Sequence, residues 1–378
     1  MEPETAILTP IGQGGIGVVR VVGPGAVELV GRVFRARSGA LVEVDPTRIH
    51  YGHIVDDGEM VDEVLVRFVP PDAAEVDCHG GIVAVQRVLE CLVKQGATAV
   101  EPKTLLDRQA PSRIRAEAAT ALLRAATPLG VEALLDQLNG ALEAALGALP
   151  WDEPAHAADA LRHLLPSERF GRALWQAPAV AIVGPANAGK STLFNALARE
   201  ERMIVLPQPG TTRDAVSTEV AIAGLPVWLV DTAGEREPDS AIEVEAIARS
   251  RSAAAAARLV LLLLDGAQPE PPAADLVGRA RLPHHLAVLN KADLGLAAWT
   301  ADLPDAIAIS AATGDGLDEL CRRIAAALVG NPQHARGEPM VFTERQGNLL
   351  RSAVAAIEAG RPEEAREQIT QVIGQRGS

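Results

Sequence analysis

Residues 184–191, Gly184-Pro-Ala-Asn-Ala-Gly-Lys-Ser191, carry the spacing G-x-x-x-x-G-K-[ST], which wraps a backbone loop around a polyphosphate. Gly184 and Gly189 let the N–H groups of the loop, that of Ala188 included, turn inward on the anion. Lys190 adds a positive charge near the β- and γ-phosphates, and Ser191 offers a hydroxyl to Mg²⁺. Asn187 puts an amide oxygen inside the loop, and Thr192 begins a helix whose N-terminal dipole favours an anion. An ordinary glycine turn before a helix needs similar residues. Context argues against it: Ala179-Val-Ala-Ile-Val183 reads as a buried strand delivering the loop, and Thr192–Ala198 reads as the helix that leaves it.

Four further segments follow in order. Pro209-Gly-Thr-Thr-Arg-Asp214 supplies the hydroxyls of Thr211 and Thr212, of which Thr212 is expected to complete the Mg²⁺ shell and sense the γ-phosphate. Pro226–Val230 reads as a strand and delivers Asp231-Thr-Ala-Gly234. Asp231 would hold Mg²⁺ through water and the Gly234 N–H would meet the γ-phosphate, contacts that hydrolysis releases. Leu286–Leu289 delivers Asn290-Lys291-Ala-Asp293. Guanine presents two donors side by side, N1–H and the 2-amino group, and the Asp293 carboxylate accepts both, whereas adenine has neither. Ile307–Ile309 then delivers Ser310-Ala311, whose backbone can donate to the guanine oxygen. Alone, Asp-x-x-Gly is usually a turn and Asn-Lys-x-Asp can be a helix cap. In series at strand C-termini, where open α/β sheets bind ligands, they specify GTP and GDP.

Composition sets the frame for these loops. The chain has 378 residues, enough for two or three domains with real cores. Hydrophobic residues make up 48%, which excludes general disorder, and aromatics only 3%, so the cores must be built from Ala, Val, Leu and Ile. A net charge of −14 argues against non-specific nucleic-acid binding by bulk electrostatics. Cys78, Cys91 and Cys321 have no metal-ligand spacing and fit a reducing, cytoplasmic setting. Glu2 and Glu4 do not open a signal peptide, and the longest apolar run, Leu259–Leu264, is far too short for a membrane span.

The elements that position the loops fall into four stretches. Residues 1–105 read as an α+β domain, with strands at Ala6–Thr9, Gly17–Val22, Ile49–Val55 and Glu63–Val69 and helices at Gly25–Phe34 and Ile82–Lys94. Residues 106–176 read as a helical segment with helices over Arg113–Ala126, Val131–Leu149 and Ala155–Leu165. Residues 177–330 form the nucleotide domain, in which the run Ala253–Ala257 is expected to lie in a helix against the sheet. Residues 331–378 add two closing helices, Thr343–Ala359 and Glu363–Val372, expected to pack on the helical segment. The fold class is thus an α/β P-loop domain inserted in a helical domain and preceded by an α+β domain. Lys103, Arg108, Arg113 and Arg115 read as a solvated helix start at least as well as RNA-phosphate contacts.

With these residues in view, the sequence resembles the MnmE (TrmE) family of tRNA-modifying GTPases, as a divergent and shortened member. Asn187 in the phosphate loop and the Pro-Gly-Thr-Thr-Arg-Asp, Asp-Thr-Ala-Gly and Asn-Lys-Ala-Asp segments are shared with translation-factor-related GTPases. Thr9-Pro-Ile-Gly-Gln-Gly-Gly-Ile-Gly-Val-Val-Arg20, Gly23-Pro24, Asp62-Glu-Val-Leu-Val66, His79-Gly-Gly81 and Glu101-Pro102 narrow the likeness to that family. The resemblance implies a homodimer formed through the N-terminal domain, which binds a reduced, one-carbon folate, with Arg20 a candidate for the folate carboxylate against a bland surface reading. It implies GTP hydrolysis that depends on K⁺ held at Asn187, with Glu243 orienting the attacking water and Glu235 as the competing carboxylate. It implies a flavin-binding partner with which a carboxymethylaminomethyl-type group is installed on the wobble uridine of tRNA.

The chain also departs from the pattern. Asp72-Ala-Ala-Glu-Val-Asp-Cys78 replaces a longer family stretch, the basic region after Pro102 is mostly missing, and Val372-Ile-Gly-Gln375 stands where the family carries a cysteine. The expectation is that the folate binds weakly or not at all. The alternative is a GTP-switch binding protein, ribosome- or RNA-associated, that has lost modification chemistry.

Overall fold

The computed structural model describes residues 2–9, 14–37, 45, 47–69, 72–200, 217–231, 257–279, 282, 284–330 and 333–374. The described residues form two compact units, one reaching to Leu123 and including Gly374, the other running from Arg124 to Ile373.

In the first unit a seven-stranded sheet has the order β3-β4-β5-β6-β2-β1-β7. The strands are β1 (Glu4–Ile7), β2 (Ile16–Val22), β3 (Phe34–Ala36), β4 (Ile49–Asp56), β5 (Glu59–Val69), β6 (Ala73–His79) and β7 (Thr98–Ala99). Helices α1 (Ala26–Val33) and α2 (Ile82–Lys94) share one core with the sheet, where Val19, Val21, Val64, Val66, Phe68, Ala74 and Val76 point inward at a period of two. The α2 range matches the amphipathic spacing in the sequence. Asp57 and Gly58 take φ of 49° and 88° and join β4 to β5 as a two-residue hairpin loop. Helices α3 (Pro102–Gln109) and α4 (Arg113–Leu122) follow.

Two elements are absent from the sequence expectations and one differs in length. The stretch 72–78, read only as an altered segment, is strand β6, paired on both sides by β5 and β2. Its inward side chains Ala74, Val76 and Cys78 are small or modestly apolar, and Glu75 and Asp77 alternate with them, so the apolar signal is faint. Helix α3 was not expected either; Pro102 opens it at the first turn, and Leu105 is its one buried side chain. The helix expected over 113–126 ends at Leu122.

The second unit begins with α5 (Pro128–Leu138), α6 (Ala141–Gly147), α7 (Pro154–Leu164) and α8 (Ser167–Ala173). The single helix expected over 131–149 is therefore two. Gly140 adopts φ 102° and its N–H bonds to the Gln137 carbonyl, turning the chain out of the first helix. A six-stranded sheet follows, in the order β13-β12-β11-β8-β10-β9. Its strands are β8 (Ala179–Val183), β9 (Ser217–Ile222), β10 (Leu225–Asp231), β11 (Leu259–Asp265), β12 (His285–Asn290) and β13 (Ile307–Ala308). All neighbours are parallel except β9, which runs antiparallel to β10. Leu259–Leu264 is buried throughout, as a parallel strand covered on both faces must be. The helices of this part are α9 (Lys190–Glu200), α10 (Ala274–Arg279) and α11 (Leu317–Val329).

After the sheet, α12 (Glu344–Glu358) and α13 (Pro362–Ile373) return to the helices that precede it. Arg162 of α7 bonds Glu358 of α12 at 2.5 Å. The buried amide of Gln137 donates to the Glu338 carbonyl at 2.9 Å and accepts from the Met340 N–H at 3.1 Å. Thr343 and Gln346 form a capping box at the start of α12. The nucleotide-binding sheet is thus inserted between two halves of a helical body. Among the described residues no helix is long and apolar enough to cross a membrane. The run Ala253–Ala256 lies outside the described residues.

Candidate functional site

The loop 184–189 leaves the C-terminal end of β8, with β11 on one side of that strand and β10 on the other. Connections diverge to both sides here, which is where an open α/β sheet leaves a crevice for a ligand. Two glycines are set by their surroundings. A Cβ on Gly184 would lie 2.1 Å from the Leu263 carbonyl oxygen of β11, and a Cβ on Gly189, at φ 94°, would lie 2.3 Å from the Asn290 amide nitrogen. The loop therefore lies flat against two strand ends. Asn187 is exposed and takes φ 63°, a left-handed conformation that asparagine tolerates better than most residues. Lys190 is 7% exposed, and its ammonium donates to the Gly184 and Pro185 carbonyls at 2.9 and 2.8 Å. Ser191 and Thr192 follow on the exposed first turn of α9.

The base-side loops are tied together by one amide. Asn290 is 3% exposed; its Nδ2 donates to the Ala188 carbonyl at 2.8 Å and its Oδ1 accepts from the Ala311 N–H at 2.9 Å. It joins the phosphate loop to the Ser310-Ala311 loop. Backbone bonds from Ile309 N–H to the Leu289 carbonyl (2.8 Å) and from Ala292 N–H to the Ile309 carbonyl (3.0 Å) hold the same loops. Lys291 then adopts φ 63°, which turns the chain and leaves Asp293 exposed on a short 3-10 turn. Ser310 is buried, accepts from the Thr313 N–H through its hydroxyl at 3.2 Å, and donates its own N–H to the Asp315 carbonyl at 2.9 Å.

One residue of this cluster escaped the sequence reading. Asp265 ends β11, accepts from the Ala267 N–H at 3.1 Å, and pairs with the Lys291 ammonium at 2.7 Å. Its carboxylate fixes the lysine beside Asp293. The signal available was position alone: Asp265 closes a strand just as Asp231 and Asn290 do. Asp231 ends β10, with its backbone in register with Ile182 of β8. Thr211, Thr212, Gly234, Glu235 and Glu243 lie outside the described residues.

In the first unit Arg20 lies on β2 opposite Glu75, with a separation of 3.4 Å, and Glu75 also takes Arg67 at 2.5 Å. Arg20 is thus partly engaged by a carboxylate, while its Nε is buried without a partner. Burial, followed by the nearby Glu75, raises Asp77 on the same strand above the ordinary aspartate value. The His79 ring meets Asp62 at 2.7 Å, and this hydrogen bond raises the imidazole above its usual value. Burial pushes the Cys78 thiol up to about 11, leaving it protonated and unreactive near neutral pH. Gly80 has a packing reason: a Cβ there would lie 2.2 Å from the Gly14 carbonyl oxygen. Arg108 pairs with Glu4.

A phosphate loop at the switch point of a mostly parallel sheet, bound through Asn290 to the loops after β12 and β13, defines a P-loop GTPase. The family described as 50S ribosome-binding GTPase matches residues 179–291, and that described as GTP-binding protein TrmE N-terminus matches residues 5–103. Three proteins named tRNA modification GTPase MnmE align over 94% of this chain. That of Lacticaseibacillus paracasei is 35% identical over 89% of its length, that of Streptococcus thermophilus 32% over 87%, and that of Carboxydothermus hydrogenoformans 33% over 90%. The chain belongs to the MnmE family. It binds GTP and GDP and hydrolyses GTP.

Proposed function

We propose that this GTPase couples its GTP cycle to modification of the wobble uridine of tRNA, as a cytoplasmic homodimer working with a flavin-binding partner. The observation that carries the reading is likeness along 94% of the chain to proteins named for tRNA modification, the N-terminal part included. A ribosome-associated GTP switch is the second reading, favoured by the description of the family matching residues 179–291. A reduced folate is proposed for the N-terminal domain at most weakly, since Arg20 already faces Glu75.

The donor set fits Mg²⁺. Ser191 follows β8 and Asp231 ends the adjacent β10, so both belong to the carboxyl-terminal end of the sheet, and hydroxyl, carboxylate and water oxygens suit a small hard cation. With Thr212 they are proposed to hold an ion that neutralises charge on the β- and γ-phosphates. Lys190, with the loop N–H groups, binds the phosphates, and Glu243 orients the water.

The test joins both halves of the proposal. Glu243→Ala should leave GTP affinity near that of the unaltered chain and slow turnover by roughly 10²-fold or more, because the carboxylate acts only as water attacks. In a strain lacking this gene, mass spectrometry of tRNA should show the wobble modification restored by the unaltered chain and not by Glu243→Ala. Turnover that survives Glu243→Ala and disappears in Glu235→Ala reassigns the role to Glu235. Unchanged tRNA on deletion favours the switch reading.

Potassium gives a separate prediction. We propose that Asn187 holds K⁺, whose charge offsets that building toward the β–γ bridging oxygen in the transition state. Hydrolysis should run on the order of 10-fold or more faster in potassium than in sodium at equal ionic strength, less than the 10³–10⁵ of an arginine finger. The competing role for Asn187 is to supply φ 63° to the loop. Asn187→Gly separates the two, since glycine keeps that conformation and loses the amide. Loss of the potassium advantage in Asn187→Gly supports the cation role; equal rates in the two salts for the unaltered chain reject it.

A further inference from the structure

Four arginines from three separate segments converge on one cleft of about 270 Å³ in the second unit: Arg169 and Arg172 of α8, Arg258 just before β11, and Arg351 of α12. Among the described residues Glu168 is the one carboxylate lining it, and is 8% exposed. Arg351 donates to Glu168 Oε2 at 2.6 Å, and Arg172 lies 3.6 Å from its Oε1 and 3.4 Å from Glu344. Arg169 reaches the Ala327 and Leu328 carbonyls at the end of α11, at 3.4 and 3.2 Å. Arg258 is exposed and enters no ion pair among the described residues. Glu168 and Glu344 together set two guanidinium groups in place and bring two negative charges against four positive ones.

A guanidinium carries five donors in a planar fork that matches the oxygens of a phosphate. The cleft is open, and Arg169, Arg258 and Arg351 are exposed along it, which suits a charged chain passing over it better than an enclosed ion. On a protein with a net charge of −14, association with a polyanion needs such a local surplus of positive charge. We propose that this cleft binds phosphodiester groups of the RNA substrate. The inference rests on the reading of tRNA as substrate and adds a contact surface separate from the phosphate loop and the base-side loops.

The test uses the full chain and fluorescence anisotropy with a tRNA transcript over a salt series. Arg172→Gln/Arg258→Gln leaves Arg169 and Arg351 with their protein partners. The double variant should bind tRNA about tenfold or more weakly. Its slope of log affinity against log salt should fall by roughly 1.5, as expected for two lost phosphate contacts, with basal GTP hydrolysis unchanged. If the double variant misfolds and loses hydrolysis, Arg258→Gln alone carries the test, with about half that change in slope. Unchanged affinity and slope in a folded variant, while the unaltered chain binds tRNA, overturn the cleft assignment and leave the tRNA reading standing. An unaltered chain that does not bind tRNA overturns both. Protection of the cleft by inorganic phosphate, with tRNA binding equal in variant and parent, marks a small-anion site and also overturns the RNA assignment.

Discussion

Asp293→Asn should exchange the base specificity of the GTPase: GTP affinity falls on the order of 10⁴-fold, and xanthosine triphosphate binds in its place. The carboxylate is proposed to accept from both the N1–H and the 2-amino group of guanine. An amide there keeps one acceptor and presents a donor, which meets the guanine 2-amino group badly and the 2-oxo group of xanthine well. Sites built to pair a substrate's polar groups reject analogues that leave them unpaired by factors of 10⁴–10⁵. The position is prepared by the backbone. Lys291 turns at φ 63°, Asp265 holds the lysine ammonium at 2.7 Å, and Asp293 projects from the exposed turn that follows. Titration of the variant with labelled GTP, GDP and xanthosine triphosphate checks this. An Asp293→Asn protein with parental GTP affinity removes Asp293 from the base site.

The loops that carry this chemistry were legible because their residue types are required by the ligand and occur at short range in sequence. The phosphate loop and Asn290–Asp293 each lie at the end of a strand whose apolar run is plain, Ser310-Ala311 follows the two-residue strand β13, and β8 and α2 match their expected limits. What was lost had little apolar signal. Strand β6 buries one strong strand former, Val76, between Ala74 and Cys78, while α3 buries Leu105 alone. Strand β9 turns to β10 through Ala223 at φ 50°, an unusual residue for a left-handed position, and Gly224 at φ 81°, so that one of the two turn residues carries no signal. The division of 131–149 turned on Gly140, a single glycine at φ 102° inside an otherwise helical run. Contacts between distant residues were out of reach altogether. Nothing in the spacing of Asp265 and Lys291, or of Glu168 and Arg351, pairs them before the sheet and helices bring them together.

Asn290→Ala should weaken the binding of every nucleotide alike without changing which base is preferred, and in this it differs from Asp293→Asn. Both ends of the Asn290 amide are occupied by backbone: the Ala188 carbonyl of the phosphate loop on one side and the Ala311 N–H of the guanine-side loop on the other. Asn290 is buried, only 3% exposed. Truncation leaves a buried carbonyl and a buried N–H unpaired, at about 1–3 kcal/mol each. It also releases the phosphate loop from the loop that faces the base. Should the whole of that cost fall on the nucleotide-competent arrangement, affinity drops by roughly 30- to 10⁴-fold, and equally for GTP, GDP and xanthosine triphosphate. Asn290→Asp should be at least as damaging, because its carboxylate retains the bond to the Ala311 N–H but sets a negative oxygen against the Ala188 carbonyl. Isothermal titration of the three nucleotides against both variants reads the pattern directly. A uniform loss places Asn290 as the residue that positions two loops, whereas a loss confined to GTP and GDP would mean that its amide contacts the base itself.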